Sequence, residues 1–264
     1  MDPTAPQLAQ ITSIGMLFFH SATPPFFALT VYFCIHREQE FPELYEEAQR
    51  QGIPPPQVDF LDIGCGFGGL TVGLAEAYPD KVVCGMEIRV KVSGMFSPVD
   101  LVVVILIKTN KKQTKNNAEY VKERILALRK KEPGKYRNAT CIRSNTMKYL
   151  TNYFKKGSIE KMFFLFADPH FKHTNHRRRI IQSTLLDEYA YLLKPGGILY
   201  TITDVEDLGN WQRERLAAHP LFVEVGEEEL EGDAAAKLLE EGTEEGKKVK
   251  RNGGSTWKAI FRRV

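Results

Sequence analysis

The sequence predicts an α/β fold with a mostly parallel, doubly wound sheet. Apolar runs of strand length alternate with segments of helical spacing between residues 58 and 262. Strands that alternate with helices imply βαβ units, in which a helix joins consecutive parallel strands. Residues 162–166 are almost wholly apolar, as expected for a strand that is buried on both faces of a parallel sheet.

The elements can be placed in order from residue 41. Residues 41–51 have the composition of a short acidic helix, and Gly-Ile-Pro-Pro-Pro at 52–56 predicts a stiff linker. Lys-Pro-Gly-Gly at 194–197 is expected to end the helix before it. The predicted strands are 58–63, 82–86, 139–143, 162–166, 198–203 and 259–262, and the predicted helices are 69–77, 184–193 and 211–218.

The composition is that of an ordinary globular protein. Hydrophobic residues make up 43% and charged residues 26% of the 264 residues, which excludes a disordered or fibrous chain. The net charge is only +3, so a nucleic-acid partner must be sought in local clusters of charge. The four cysteines are widely spaced without a CxxC pair, which predicts reduced thiols and no metal site.

Two apolar runs are too short or too interrupted to cross a membrane. The first, within residues 14–36, is broken by His20, Ser21 and two adjacent prolines, and no basic residue precedes it as in a secretory signal. The second, at 99–107, has the length of a strand. We therefore expect no membrane partner.

A glycine-rich turn follows the first predicted strand and opens a helix. Gly64, Gly66 and Gly69 match the GxGxxG spacing, in which glycines let the backbone approach a ligand closely. This spacing alone is weak evidence, because it also fits a nicotinamide site or a turn without a ligand. Glu87, about 20 residues further on, ends the second strand and can accept hydrogen bonds from both hydroxyls of a ribose.

Six stretches of the sequence narrow the choice of protein family. They are DIGCGFGG (62–69), GMEIRVKV (85–92), RSNTMK (143–148), FFLFADPHFK (163–172), YTITD (200–204) and TEEGKK (243–248). In this order they closely resemble the eukaryotic catalytic subunit of the tRNA (guanine-N7-)-methyltransferases, a family of class I S-adenosylmethionine-dependent enzymes. The resemblance implies a Rossmann-like fold with a mostly parallel seven-stranded sheet and helices on both faces.

The resemblance also implies roles for the residues that match the family's motifs. It implies S-adenosylmethionine as the cofactor and Asp168, after the fourth strand, as the catalytic residue. The residues implied to bind the cofactor are Gly64, Glu87, Ile88, Arg89, Asn145, Thr146, Leu165, Thr243 and Glu245.

The chemistry of guanine N7 agrees with this assignment of Asp168. N7 carries a lone pair and no proton, so methyl transfer needs no general base, and the main requirement is in-line positioning. A carboxylate opposite the guanine's N1–H and amino group would hold the base by charge-assisted hydrogen bonds. Ala167 stands where the family usually has proline, which could loosen the loop but removes no chemical group.

A basic run directly follows Asp168. Residues 170–179 read HFKHTNHRRR, and His170, Lys172 and Arg177 are candidates for contacts with RNA phosphates. Lys247, Lys248, Lys250 and Arg251 form a second basic group. The resemblance implies tRNA as the substrate, at position 46 of the variable loop. It also implies a non-catalytic WD-repeat (β-propeller) subunit that forms a heterodimer with this chain, and a nuclear location.

The sequence departs from the family in two places. Residues 1–57 form an atypical N-terminal segment and linker, because residues 1–40 are apolar where the family has a basic arm. The methyltransferase domain, 58–264, is interrupted by an insertion at 94–119, and removing about 25 residues restores one amphipathic helix with a family-like sequence. We interpret the insertion as translated intron sequence or an isoform; the alternative is an evolved loop.

These departures leave a rival interpretation. The insertion interrupts a helix beside the cofactor turn, so the chain could instead be a non-catalytic protein that binds RNA or a partner on a methyltransferase scaffold. A nicotinamide dehydrogenase is a weaker alternative, because the sequence lacks a plausible set of residues for hydride transfer.

Overall fold

The structure is a computed structural model that describes residues 37–89 and 117–264. The apolar runs at 14–36 and 99–107, and the insertion up to residue 116, lie outside the described residues. Seven strands are described: β1 (Phe60–Ile63), β2 (Val83–Glu87), β3 (Ala139–Arg143), β4 (Ile159–Leu165), β5 (Leu193–Thr203), β6 (Phe222–Glu224) and β7 (Trp257–Arg263).

The described helices alternate with these strands. In the first part of the chain they are α1 (Arg37–Glu40), α2 (Pro42–Gln51), α3 (Gly69–Ala77), α4 (Asn117–Lys131) and α5 (Thr146–Tyr153). The later ones are α6 (Ser183–Leu192), α7 (Glu206–Ala217), α8 (Ala234–Glu241) and α9 (Glu244–Arg251), with short 3-10 turns at His173–Arg178 and Glu227–Leu230. Among the described helices, none is long and apolar enough to cross a membrane.

The strands form one sheet in the order β3-β2-β1-β4-β5-β7-β6. The neighbours from β3 to β5 are parallel, whereas β7 lies antiparallel to both β5 and β6. The predicted class, a mostly parallel α/β sheet of Rossmann-like type, is therefore confirmed. The strand order reverses direction at β1, where β2 lies on one side and β4 on the other.

Alternation along the central strands explains why helices cover both faces of the sheet. On β4, Phe163 belongs to one hydrophobic cluster and Phe164 to the other, and both are fully buried. Phe60 and Leu61 divide in the same way on β1. Two separate cores therefore pack against the two faces of the sheet, and the strand ends are left to build a site.

The expectation that the helix ends before Lys-Pro-Gly-Gly is confirmed. Helix α6 ends at Leu192, one residue before its predicted end, and residues 194–197 lie inside β5. Between Ile159↔Leu193 and Lys161↔Ile198, two steps along β4 are matched by five along β5. This bulge absorbs the four residues, and Gly196 supports it with a φ of 80°.

Helix α4 begins at Asn117, so residues 117–119 of the predicted insertion form its first turn. The backbone N–H of Asn117 donates to the carbonyl of Arg89 at 3.3 Å. The first residue described after the gap, Asn117, therefore lies beside Arg89, the last residue described before it.

Candidate active site

A cavity of about 320 Å³ opens at the carboxyl ends of β1, β2, β3 and β4. This is where open α/β sheets bind ligands, at the reversal of strand order. Every residue to which the sequence assigned a cofactor contact lines it: Gly64, Glu87, Ile88, Arg89, Asn145, Thr146, Leu165, Thr243 and Glu245. Asp168 and His170 line it as well.

The glycine turn forms the floor of this cavity. Gly64 and Gly66 have φ values of 74° and 55°, in the left-handed region that glycine adopts without strain. Gly68 packs against α4, and a Cβ there would lie 2.6 Å from Cγ1 of Val121. Glycine is therefore required at 64 and 66 by the backbone conformation, and at 68 by close packing against Val121 as well.

Glu87 ties the end of β2 to the glycine turn. Its side chain is only 4% exposed. Oε2 accepts a hydrogen bond from the backbone N–H of Gly66 at 3.0 Å, and Oε1 accepts from those of Ile88 and Arg89 at 2.8 Å each. Two carboxylate oxygens offer about four acceptor positions, so the group can still accept from a ligand.

Asp62 lies beneath the turn as a buried carboxyl group that the sequence analysis did not single out. It is 2% exposed, and the hydroxyl of Thr71 donates to Oδ2 at 2.7 Å. Burial raises the pKa of Asp62 to about 7, the hydrogen bond from Thr71 opposes this, and the charges of Glu87 and Glu244 add to it. The sequence signal that could have identified Asp62 is its position as an acidic residue in the strand that precedes the glycine turn.

We expect Asp62 to make the stability of the ligand-free protein pH-dependent. The folded-state pKa is raised above the ordinary value of 3.8, so its contribution to stability is fully present below about pH 3.8. That contribution is lost as the pH rises through about 7. The melting temperature of the wild type should therefore fall relative to that of Asp62→Asn between pH 5 and 8. Parallel curves for the two proteins would contradict the assignment.

Asp168 stands on a strained loop at the mouth of the cavity. Its side chain is 59% exposed, and the backbone N–H of His170 donates to Oδ1 at 3.2 Å. Phe166 and His170 have φ values of 49° and 46°, which side-chain-bearing residues rarely adopt. Such strain is concentrated at functional sites.

The predicted RNA-contacting residues divide into two groups. His170 lines the cavity, whereas Lys172 and Arg177 are exposed outside it. Arg178 and Ile180 also line the cavity, although no motif in the sequence predicts them as site residues. Arg178 lies within the predicted basic run, but the 3-10 turn that directs it inward has no clear sequence signal.

The C-terminal segment supplies part of the cavity wall through Thr243 and Glu245. Thr243 caps α9 by accepting from the N–H of Gly246 at 2.9 Å. Arg124 on α4 joins this wall to the glycine turn, since Nη1 donates to the carbonyl of Phe67 at 2.8 Å and to Glu244 at 3.2 Å.

Two further contacts hold the same segment to the first part of the chain. The hydroxyl of Tyr78 donates to Asp233 at 2.8 Å, just before α8. A Cβ at Gly69 would lie 2.3 Å from the carbonyl oxygen of Gly242. The glycine turn is therefore completed by residues that are distant in sequence.

The cavity offers a free hydrogen-bonding group to a polar part of a ligand. Ser144 lines the cavity, and its buried hydroxyl finds no hydrogen-bond partner among the described residues. Beside it, Asn145 precedes the first turn of α5. Within residues 37–89 and 117–264, no group of three or more His, Cys, Asp or Glu could hold a metal ion.

Three cysteines lie near the sheet and are free and buried: Cys65, Cys84 and Cys141. The sulfur atoms of Cys65 and Cys141 are 3.6 Å apart. Their hydrogen bond and burial raise the pKa of the Cys65 thiol well above its ordinary value. A group held in the neutral form is a packing residue here and not a nucleophile.

Comparison with known proteins identifies the relatives of this chain. A family model described as "Putative methyltransferase" matches residues 56–259. Proteins named tRNA (guanine-N(7)-)-methyltransferase match in Oryza sativa subsp. indica (51% identity; 87% of this chain, 79% of the relative) and Arabidopsis thaliana (52%; 79% and 73%). A third, from Danio rerio, is 47% identical over 85% of this chain and 82% of its own length.

Solved structures give a more distant likeness. The 16S rRNA methyltransferase KamB is 13% identical, with a TM-score of 0.47 over 83% of this chain and 92% of that one. The aminoglycoside resistance methyltransferase NpmB1 is 16% identical, with a TM-score of 0.42 over 84% and 95%. The fold assignment accordingly rests on the strand order described above.

Proposed function

The chain belongs to the tRNA (guanine-N(7)-)-methyltransferase family and methylates N7 of a guanine in tRNA, and we propose that S-adenosylmethionine is the methyl donor. The observation that carries the proposal is the placement of Asp168 on the same cavity as Glu87 and the glycine turn. We further propose position 46 of the variable loop as the target.

The residues of the cavity fit S-adenosylmethionine. Glu87 retains one acceptor position, on Oε2, for a ribose hydroxyl, and the unpartnered Ser144 hydroxyl offers a hydrogen bond beside Asn145. Asp62 supplies a carboxylate beneath the turn that a cofactor of net positive charge would favour in its ionised form. When bound, the cofactor supplies a methyl group on a positively charged sulfur.

The chain's own contribution to the reaction is orientation. Guanine N7 needs no deprotonation, so no residue has to act as a base on it. The carboxylate of Asp168 accepts hydrogen bonds from N1–H and the amino group of the guanine, which directs N7 toward the methyl carbon. The strained backbone on either side of Asp168 fixes the direction of this carboxylate.

The exposed charges outside the cavity suit an RNA backbone. Lys172 and Arg177 follow Asp168 on its loop, so phosphates beside the target guanine lie within their reach. Lys247, Lys248 and Arg251 are exposed on α9, whose first turn lines the cavity through Glu245. The target nucleotide would enter between these two basic surfaces.

The central test is an N7-methylation assay on purified tRNA. Purified protein and labelled S-adenosylmethionine should transfer label to a wild-type tRNA. A tRNA with 7-deazaguanine at position 46 should accept none, because it lacks the reacting nitrogen. Equal labelling of the two tRNAs would reject position 46, and absence of labelling with every tRNA would reject the activity.

Two further proposals concern the setting of the enzyme. We propose a WD-repeat subunit as a non-catalytic partner that forms a heterodimer with this chain, and a location in the nucleus. Co-expression with the propeller subunit should give a stable complex on size-exclusion chromatography and raise the rate of methylation. Imaging of a fluorescent fusion tests the location.

We expect Glu87→Ala to weaken the binding of S-adenosylmethionine about 10- to 100-fold, because it removes a charged acceptor worth about 1.5–3 kcal/mol. The protein should remain folded but melt at a lower temperature, since three buried N–H groups lose their acceptor. Calorimetric titration and thermal melting measure the two effects. Glu87→Gln is the control, since it keeps one acceptor. Unchanged affinity in Glu87→Ala would reject the ribose contact.

A further inference from the structure

Arg179 differs from the rest of the basic run that it ends. Arg177 and Arg178 are exposed, whereas Arg179 is only 1% exposed. Its Nε donates to the carbonyl oxygen of Pro169 at 2.9 Å, and Nη2 pairs with Asp207 at 2.6 Å. Pro169 is the residue directly after Asp168, so a buried cation is hydrogen-bonded to the backbone of the catalytic loop.

Helix α7 anchors this arginine. Asp207 lies in the first turn of α7, and the ring of Trp211, one turn later, lies 4.9 Å from the guanidinium carbon. Trp211 is itself fixed, because its indole N–H donates to the carbonyl of Ile181 at 2.8 Å. The loop between β4 and α6 is therefore tied to α7 at Arg179 and at Ile181.

The catalytic loop needs such an anchor. Asp168 is 59% exposed, and among the described residues its carboxylate is contacted only by His170 from the same loop. The positive φ values of Phe166 and His170 are disfavoured, and a strained backbone persists only where its surroundings hold it. The Arg179–Pro169 hydrogen bond comes from outside the strained stretch and acts on the peptide bond between Pro169 and His170.

We propose that Arg179 is a positioning residue, which holds the Asp168 carboxylate in its productive direction through the Pro169 carbonyl. The inference rests on the proposed function for the role of Asp168. This role distinguishes Arg179 from Arg177 and Arg178, which are exposed and free to contact RNA. A planar guanidinium suits this task, since it can donate from Nε and Nη2 in fixed directions while its face packs on Trp211.

The chain offers a matched control in Arg129. Its Nε donates to the carbonyl of Tyr136 at 3.0 Å, and Tyr136 also has a positive φ, of 58°. Neither residue lines the cavity. Arg129→Met therefore removes an arginine that donates to the carbonyl of another residue of positive φ, at a place that should not affect catalysis.

We expect Arg179→Met to lower kcat for tRNA methylation about 10- to 100-fold, the loss expected when a reacting group is misplaced by about 1 Å. The Kd for S-adenosylmethionine and the KM for tRNA should stay within about threefold of wild type. Arg129→Met should lose comparable thermal stability and keep its kcat. In an Asp168→Asn background, Arg179→Met should cost little more, since both changes remove the same interaction.

Three results would overturn the proposal. They are a normal kcat in Arg179→Met, losses that multiply fully with those of Asp168→Asn, or a rise in the KM for tRNA at unchanged kcat, which would make Arg179 an RNA contact. If Arg179→Met does not fold, Arg179→Lys, which keeps the charge for Asp207, should show a smaller loss of kcat in the same direction.

A second readout needs no activity. Amide hydrogen exchange at His170 and Phe171 should accelerate in Arg179→Met and stay unchanged in Arg129→Met. Equal exchange in both variants would show that Arg179 does not anchor the loop. Because this readout does not depend on tRNA methylation, failure of the anchor can be distinguished from failure of the proposed function.

Discussion

Asp168→Asn is expected to reduce tRNA methylation by about 100-fold or more while leaving the affinity for S-adenosylmethionine almost intact. An amide offers one acceptor and turns a donor toward the guanine's own donors, so the base is no longer held with N7 in line. Misplacement by about 1 Å alone costs on the order of 100-fold in rate, and the lost negative charge adds to this.

The position of Asp168 makes this a clean test. Its side chain is 59% exposed, so the substitution should change the free energy of unfolding by only about 0.5 kcal/mol or less. The amide oxygen can still accept the hydrogen bond from the N–H of His170. Single-turnover rates and calorimetric titration separate chemistry from cofactor binding.

Two outcomes would contradict this role. A variant that methylates tRNA at a near-normal rate would remove Asp168 from the mechanism. A loss of cofactor affinity equal to the loss of rate would move it from the guanine to the cofactor. The pH–rate profile of the wild type should also show no ionisation of a base acting on N7, since N7 has no proton to lose.

Deletion of residues 94–118 is expected to raise both the melting temperature and the affinity for S-adenosylmethionine. The deletion joins Ser93 to Glu119, so Val92 and Ser93 would take the places of Asn117 and Ala118 in α4. The N–H of Asn117 bonds the carbonyl of Arg89, and Val92 is the third residue after Arg89. This is the spacing of a tight turn that leads into a helix.

The deletion would also remove an unfavourable buried group. Asn117 is 4% exposed, and its Oδ1 has no hydrogen-bond partner among the described residues. An unsatisfied buried acceptor costs about 1–3 kcal/mol, and each kcal/mol shifts the melting temperature of a chain this size by about 2–4 °C. Closing a shorter loop costs less entropy as well. Affinity should rise because Val121 and Arg124 of α4 support the glycine turn.

Thermal melting and calorimetric titration of the deletion variant measure both effects. Asn117→Val in the full-length chain is the matched control, because it removes the buried amide and leaves the segment in place. It should give part of the gain in melting temperature. A deletion variant that does not fold would show that the segment is a structural element and that its interpretation as intron sequence is wrong.

Local patterns explain which parts of the fold were predictable. Helix α3 and strand β3 have the bounds that the sequence predicted, because the glycine turn and short apolar runs are signals within a few residues. The antiparallel direction of β7 depends on its partners β5 and β6 and not on its own residues. The bulge at 194–197 likewise depends on its pairing with β4.

The site residues also divide into those that a local pattern predicts and those that depend on tertiary packing. Glu87 could be located from its distance to the glycine turn, because both lie at the ends of neighbouring strands. Arg179 could not be told apart from the exposed arginines before it, since only the packing of α7 decides which of them is buried. The role of Arg124 also depends on tertiary contacts, because it joins Phe67 to Glu244 across two distant parts of the chain.

The supports of the glycine turn have a consequence for synthesis on the ribosome. Gly69 packs against Gly242, Tyr78 bonds Asp233, and Arg124 pairs with Glu244. The turn emerges early from the exit tunnel, but its wall is translated late. Such non-local contacts form slowly. A nascent chain can therefore assemble β1 to β5 and still lack a cofactor site, and a premature stop before Gly242 would remove both this wall and strand β7.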